Sequence, residues 1–150
     1  MPQGNLEIVR SLWATLERDP GAPWPPDDPD ELDSRLRLDL IDEQMEIRNP
    51  AQFPVADEYH GHDGVRQWAT EVWEVFSELH HELEELIEAE DGETVVSVQR
   101  TQGRMRHTGL DVDLPWAAVW TLRDGKAVSA HGYMTKAEAL EAARLAITAD

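Results

Sequence analysis

No cysteine occurs among the 150 residues, which excludes disulfides, thiolate nucleophiles and cysteine-based zinc sites. Basic residues are scarce: 13 Lys and Arg stand against 31 Asp and Glu, a formal net charge of −18. A surface of that sign repels phosphate backbones and anionic lipid, so neither a nucleic-acid nor a membrane partner is expected. Long apolar runs are also missing, and the opening MPQGNLEIVR lacks the basic and apolar regions of a secretion signal. The expectation is a soluble, cytoplasmic chain. Phe and Tyr number 2 each, yet Trp numbers 6 and hydrophobic residues make up 41%, which predicts a folded core beneath the acidic surface. The length suits one domain spanning residues 1–150.

Leu6, Val9, Trp13 and Leu16 recur at helical spacing and stop at Asp19-Pro20-Gly21. Pro20 to Pro29 holds five of the 9 prolines and reads as a loop, followed by a second helix over Asp30 to Leu40. Asp27, Asp28, Asp30 and Asp33 lack the glycine of a calcium loop and read as an acidic first turn that complements the helix dipole. Gln44 to Asn49 alternates as a half-buried strand, with Met45, Ile47 and Asn49 on the buried side. A third helix is predicted over Val65 to Leu79, with Val65, Trp68, Val72 and Phe76 on one stripe. Strands over Leu83 to Ala89 and Thr94 to Arg106 flank the turn Glu90-Asp91-Gly92-Glu93.

The last stretch reads strand, tight turn, strand, helix. Asp124-Gly125 suits a two-residue type I′ turn, so Arg123 pairs with Lys126. Counting outward pairs Val119 with Ala130, Ala117 with Gly132 and Pro115 with Met134 on a small-residue face, expected to look inward. The opposite face then collects Trp116, Trp120, His131 and Tyr133, three large aromatics that predict a homodimer interface. The whole order is helix, helix, strand, helix, four strands in a meander, helix, an α+β class.

That order, with Gly61 through Trp68 opening the third helix and TLRDGKAVSAHGYMTKAEALEAARL closing the chain, resembles the nuclear transport factor 2-like superfamily and, within it, the SnoaL-like polyketide cyclase branch. The resemblance implies a cone: a curved antiparallel sheet wrapped around the N-terminal helices, enclosing a pocket, often dimeric through the outer sheet face. It also implies a choice among ketosteroid isomerisation, aldol cyclisation, dehydration, epoxide hydrolysis and purely binding or assembly roles, which fold alone does not make. The isomerase-like pattern places a general-base Asp before a Pro, and here Asn49 precedes Pro50. An amide does not accept a proton at neutral pH. The second Asp of that pattern falls at Ala117, its Tyr at Leu12 or Trp13, and the Asp of the epoxide-hydrolase branch at Gly132.

The expected pocket therefore comprises Trp13, Met45, Ile47, Asn49, Trp68, Val72, Ala117, Val119, Ala130, Gly132 and Met134. Its candidates for chemistry are Asn49, His131 and Arg100, since either Arg100 or Gln99 must point inward from its strand. His60 and His62 read as solvated turn residues, and His80 and His81 as helix-end residues that complement the dipole. Neither a metal nor a cofactor is expected. Two functions stay open: binding of a small, largely apolar molecule, with or without cyclase or isomerase-type catalysis, and a non-catalytic dimeric module.

Overall fold

The structure is a computed structural model that describes residues 4–15, 28–50 and 57–148. In chain order it contains α1 (Asn5–Ala14), α2 (Pro29–Arg35), a 3₁₀ turn (Leu38–Leu40), β1 (Ile41–Arg48), β2 (Glu58–His60), α3 (Gly61–Val75), β3 (Phe76–Glu88), β4 (Thr94–Met105), β5 (Asp111–Arg123), β6 (Lys126–Tyr133) and α4 (Lys136–Thr148). Leu16 and the proline-rich stretch through Asp27 lie outside the described residues. The six strands form one curved, unclosed sheet in the order β2-β1-β6-β5-β4-β3. The expected meander is present from β3 to β6, all antiparallel. The sheet as a whole is mixed, however, because β1 joins β6 in parallel. Register shifts within β1–β6, β3–β4 and β5–β6 mark bulges, which bend strands and curve the sheet.

Apolar side chains of α1 and α3 fill the concave side: Ile8, Val9, Leu12, Trp13, Val65 and Ala69 pack with Met45, Ile47, Trp116 and Trp120 of the sheet. On the convex side, Ala139 and Ala143 of α4 pack on Val96, Ala117 and Val119. No helix among the described residues is long and apolar enough to cross a membrane.

Three local readings change. The third helix stops at Val75 instead of Leu79, and Phe76 switches to extended backbone with φ −114 and ψ 130. Neither Gly nor Pro marks this stop. It is made by tertiary partners: the Arg106 guanidinium donates to the carbonyls of Trp73 at 2.7 Å and Phe76 at 3.2 Å, capping acceptors that the helix end leaves open. His80 and His81 consequently lie in β3, not at a helix end, paired along their length with β4. The second helix is shorter than expected, ending at Arg35. Its acidic start behaves as anticipated, since Asp28 accepts from the Asp30 N–H at 3.0 Å, while Asp33 forms a bidentate pair with Arg66 at 2.7 and 2.9 Å.

The hairpin carries the largest correction. Asp124 and Gly125 have φ of 54° and 77°, so the turn is of the expected type and Arg123 does pair with Lys126. A bulge then intervenes. Leu122 pairs with Ala127 but Thr121 with Ser129, leaving Val128 as an extra residue. Beyond it Trp120 faces Ala130, Ala118 faces Gly132 and Ala117 faces Tyr133. One residue of slip exchanges the faces of β5 relative to β6. Trp116 and Trp120 point into the cone, 7% and 8% exposed, whereas Ala117 and Val119 lie outside under α4. The bulge sets large indoles against small residues: a Cβ on Gly132 would already stand 3.0 Å from Trp116 Cζ2. The aromatic dimer face inferred from an unbroken register is thereby lost, and Leu110 is the exposed large hydrophobic among the described residues.

Trp120→Glu is therefore expected to unfold the chain, not to split a dimer. A carboxylate in place of a buried indole leaves a cavity and an unpaired charge, about 4 kcal/mol or more in sum. Far-ultraviolet circular dichroism and light scattering check this, and a folded Trp120→Glu monomer would restore the original register.

Candidate functional site

The inner face of β4 is not apolar. Ser97 and Gln99 are fully buried there, with Thr101 beside them, and Val95 is the hydrophobic member of the row. These polar side chains are satisfied by aromatic partners. Ser97 Oγ accepts from Trp13 Nε1 of α1 at 3.1 Å and from Trp120 Nε1 of β5 at 3.0 Å. Gln99, with its amide oriented to suit its neighbours, accepts from Trp116 Nε1 at 3.1 Å and donates to the Ser97 carbonyl at 3.2 Å. Thr101 Oγ1 lies 2.9 Å from His81 Nδ1, whose ring packs on Trp13 with centroids 4.8 Å apart. Trp13 in turn meets Trp120 edge-on at 5.9 Å.

These rings wall a cavity in which the centre of a water-sized sphere can reach about 70 Å³, several times what one water needs. A smaller space of about 20 Å³ adjoins it, sharing Trp13, Trp68 and Trp116 as walls. Of the expected pocket residues, Trp13, Met45, Ile47, Asn49, Trp68, Ala130 and Gly132 stand on the larger wall. Val72 lines the smaller space. Met134 packs against the inner cluster, while Ala117 and Val119 belong to the convex face. Trp116, Trp120, Arg48 and Ala118 also line the larger cavity, and His81 and Thr101 the smaller. The alternation Val95, Ser97, Gln99, Thr101 against Val96, Val98, Arg100, Gln102 is the signal that places Ser97 and Gln99 inward, once Arg100 is assigned to solvent.

Arg100 is on the outside, held by Asp113 at 2.6 and 2.9 Å. His131 is also outside, with Nε2 3.1 Å from Glu46, and this hydrogen bond holds the Glu46 carboxyl below its ordinary range. Of the three candidates only Asn49 stands on the cavity wall, tied by its backbone N–H to the Asp57 carbonyl at 2.8 Å. His60 and His62 do not converge: His62 Nε2 donates to the Ile41 carbonyl at 2.8 Å, and His60 Nε2 lies 3.0 Å from Glu58. Glu46, Glu58 and His60 do bring ligand atoms within 4.8 Å of one another. Arg48 already sits among them, 3.2 Å from Glu46 and 3.4 Å from Glu58, so the cluster is an ion-pair network on the surface. Among the described residues no Asp or Glu lines either cavity. The cavities can therefore hold a shape by stacking, with Asn49, Thr15 and Arg48 as polar residues of the larger wall and Thr101 and His81 of the smaller.

A concave sheet closed over two helices around an apolar chamber defines the nuclear transport factor 2-like, ketosteroid isomerase-like fold. Residues 25–130 match the SnoaL-like domain, and the chain belongs to that family. Among solved structures, a nuclear transport factor 2-like protein from Burkholderia thailandensis E264 is 24% identical, with a TM-score of 0.69 over 95% of this chain and 98% of that one. A putative SnoaL-like polyketide cyclase from Jannaschia sp. CCS1 is 18% identical, with a TM-score of 0.66 over 100% and 99%. TerC, co-crystallised with polyporic acid, is 20% identical, with a TM-score of 0.67 over 91% and 95%. At these identities the likeness is one of fold. No curated protein matches the chain significantly.

The buried imidazole makes a pH prediction. Burial, aided by the neighbouring His80, pushes His81 down to about 4. Its folded pKa lies below the unfolded value of about 6.5, so the unfolded chain binds more protons between these limits. Stability is full above about pH 6.5 and falls as pH drops toward 4, by up to about 3 kcal/mol. Urea denaturation across that window is expected to show this slope in the parent and to lose it in His81→Phe. An imidazole titrating near 6.5 by NMR would contradict the burial.

Proposed function

We propose that this protein binds a small, largely apolar molecule inside the cone and holds it by aromatic stacking. The observation that carries the reading is the cavity wall itself: four indoles, Trp13, Trp68, Trp116 and Trp120, set among aliphatic side chains. Each indole except Trp68 is fixed by a hydrogen bond to β4, so the walls are preorganised before a ligand enters. Family membership supports the same reading, as does a neighbour of this fold crystallised with polyporic acid.

Catalysis of the cyclase or isomerase kind would require this wall to move a proton. General acid–base catalysis contributes roughly a hundredfold to ten-thousandfold and needs a group titrating near the working pH within reach of the substrate. Asn49 cannot be that group, and the neutral His81, pushed down to about 4, is a weak base. Binding with positioning through Asn49 is thus favoured over proton-transfer catalysis.

Quenching of tryptophan fluorescence by small aromatic molecules, with dissociation constants from calorimetry, tests the binding. Gly132→Phe, which fills the space beside Trp116, is expected to abolish it. The parent is expected to leave 3-cyclohexen-1-one unconjugated and cyclohexene oxide intact. Asn49→Asp supplies the carboxylate that the wall lacks, and a gain in enone isomerisation above the parent is the expected outcome. Rapid isomerisation by the parent would make the protein an enzyme whose base is still to be found.

A further inference from the structure

Strand pairing brings four metal-binding side chains to one patch of the outer sheet face. β1 lies between β2 and β6, with Glu46 opposite His60 and Arg48 opposite Glu58 on one side, and Arg48 opposite His131 on the other. Residues two apart on a strand share a face with their cross-strand partners, so Glu46, Glu58, His60 and His131 surround Arg48. Ile47, between Glu46 and Arg48, stands on the cavity wall, on the other side of the same strand. The ligand atoms converge: His60 Nε2 is 3.0 Å from Glu58 Oε1, His131 Nε2 is 3.1 Å from Glu46 Oε2, and those of Glu46, Glu58 and His60 all lie within 4.8 Å of one another. Arg48 holds the two carboxylates loosely. Its nitrogens stand 3.2 and 3.3 Å from Glu46 Oε1 and 3.4 Å from Glu58 Oε1, whereas the Arg66–Asp33 and Arg100–Asp113 pairs are bidentate at 2.6 to 2.9 Å.

We propose that this patch binds a divalent transition-metal ion, Zn²⁺ in particular, which displaces the Arg48 side chain and is held by Glu46, Glu58, His60 and His131. Tetrahedral zinc with nitrogen and oxygen ligands at about 2.0–2.2 Å sets neighbouring ligand atoms about 3.3 Å apart. The two Glu–His contacts already come near that spacing. Carboxylates alone suit calcium or magnesium, and it is the two imidazoles that select a softer ion. The Arg48, Glu58 and His60 side chains are 56%, 43% and 65% exposed, so the guanidinium is free to swing into water while the ligands close on the ion. The exchange trades one positive charge for two on a chain whose net charge is −18. It also ties the three-residue edge strand β2 to β1 and β6 through side chains.

Calorimetric titration of the full chain, free of any histidine tag, with Zn²⁺ tests the site, with Mg²⁺ as the hard-ion control. A single equivalent of Zn²⁺ is expected to bind without competition from Mg²⁺, and Co²⁺ in its place should give the visible spectrum of a four-coordinate ion. His60→Ala and Glu58→Gln, both at exposed positions, should each weaken Zn²⁺ by more than about tenfold, the loss that even the outer partners of a metal ligand cause. Arg48→Met removes the competing cation and should tighten binding several-fold. In nitrogen-edited NMR the His60 and His131 imidazole signals should shift with Zn²⁺, while that of the exposed His107, in the turn between β4 and β5, stays in place. Absence of Zn²⁺ binding by the parent, equal binding by His60→Ala and Glu58→Gln, or a matching shift of His107 would overturn the site. Binding by Arg48→Met no tighter than by the parent would overturn the displacement of Arg48.

Discussion

One hydroxyl ties the cone together. Ser97 Oγ lies on the concave face and receives N–H groups from α1 and from β5, through Trp13 and Trp120, while Gln99 of its own strand donates to the Ser97 carbonyl. Indoles are large, and stacking alone permits several tilts. A buried indole whose N–H must meet one oxygen has far fewer. The first helix is thereby keyed to the sheet at a defined height, and the ring faces that bound the cavity are set by the same bonds that satisfy the buried polar atoms. Removing the hydroxyl would leave donors open on two elements at once, which is why this serine governs both packing and cavity shape.

The charge of the chain is kept away from that centre. Asp33 pairs with Arg66, Asp113 with Arg100 and Glu46 with His131 and Arg48, all on the outer surface or its rim. Pairing with Arg66 and with Arg100 holds the Asp33 and Asp113 carboxyls below their ordinary range. The basic residues are few, and several are spent on such pairs. The interior presents the buried imidazole of His81, the Ser97, Gln99 and Thr101 side chains of β4 and the indoles, with Arg48 on the cavity wall. Of the three positions at which the resemblance implied a carboxylate, Asn49 and Gly132 line the chamber and Ala117 lies on the convex face.

Most of the element order was legible in the chain because it rests on local signals. The alternation of Met45 and Ile47, the Asp124-Gly125 turn and the acidic start of α2 each depend on a few neighbouring residues. The cavity was legible in part for the same reason: residues assigned to an inward face by one strand's own alternation, such as Ile47 and Asn49, stand on its wall. What failed depended on a partner. The end of α3 is made by Arg106, some thirty residues downstream, and the helical stripe runs on through Phe76 without a local stop. His81 could not be recognised as a core imidazole until β3 was known to be a strand.

Composition and periodicity by themselves determined an acidic, cysteine-free α+β chain with a folded core, since net charge and repeat spacing are properties of the chain alone. Tertiary structure alone decided which aromatic side chains form that interior. A hairpin turn specifies register only as far as the first irregularity, and the extra residue Val128 inverts the pairing beyond it. That choice is made by volume, because Trp116 fits against Gly132 and Trp120 against Ala130, and by the Ser97 and Gln99 acceptors on the neighbouring strand. Side-chain size and hydrogen-bonding partners across three strands are felt only when the strands meet.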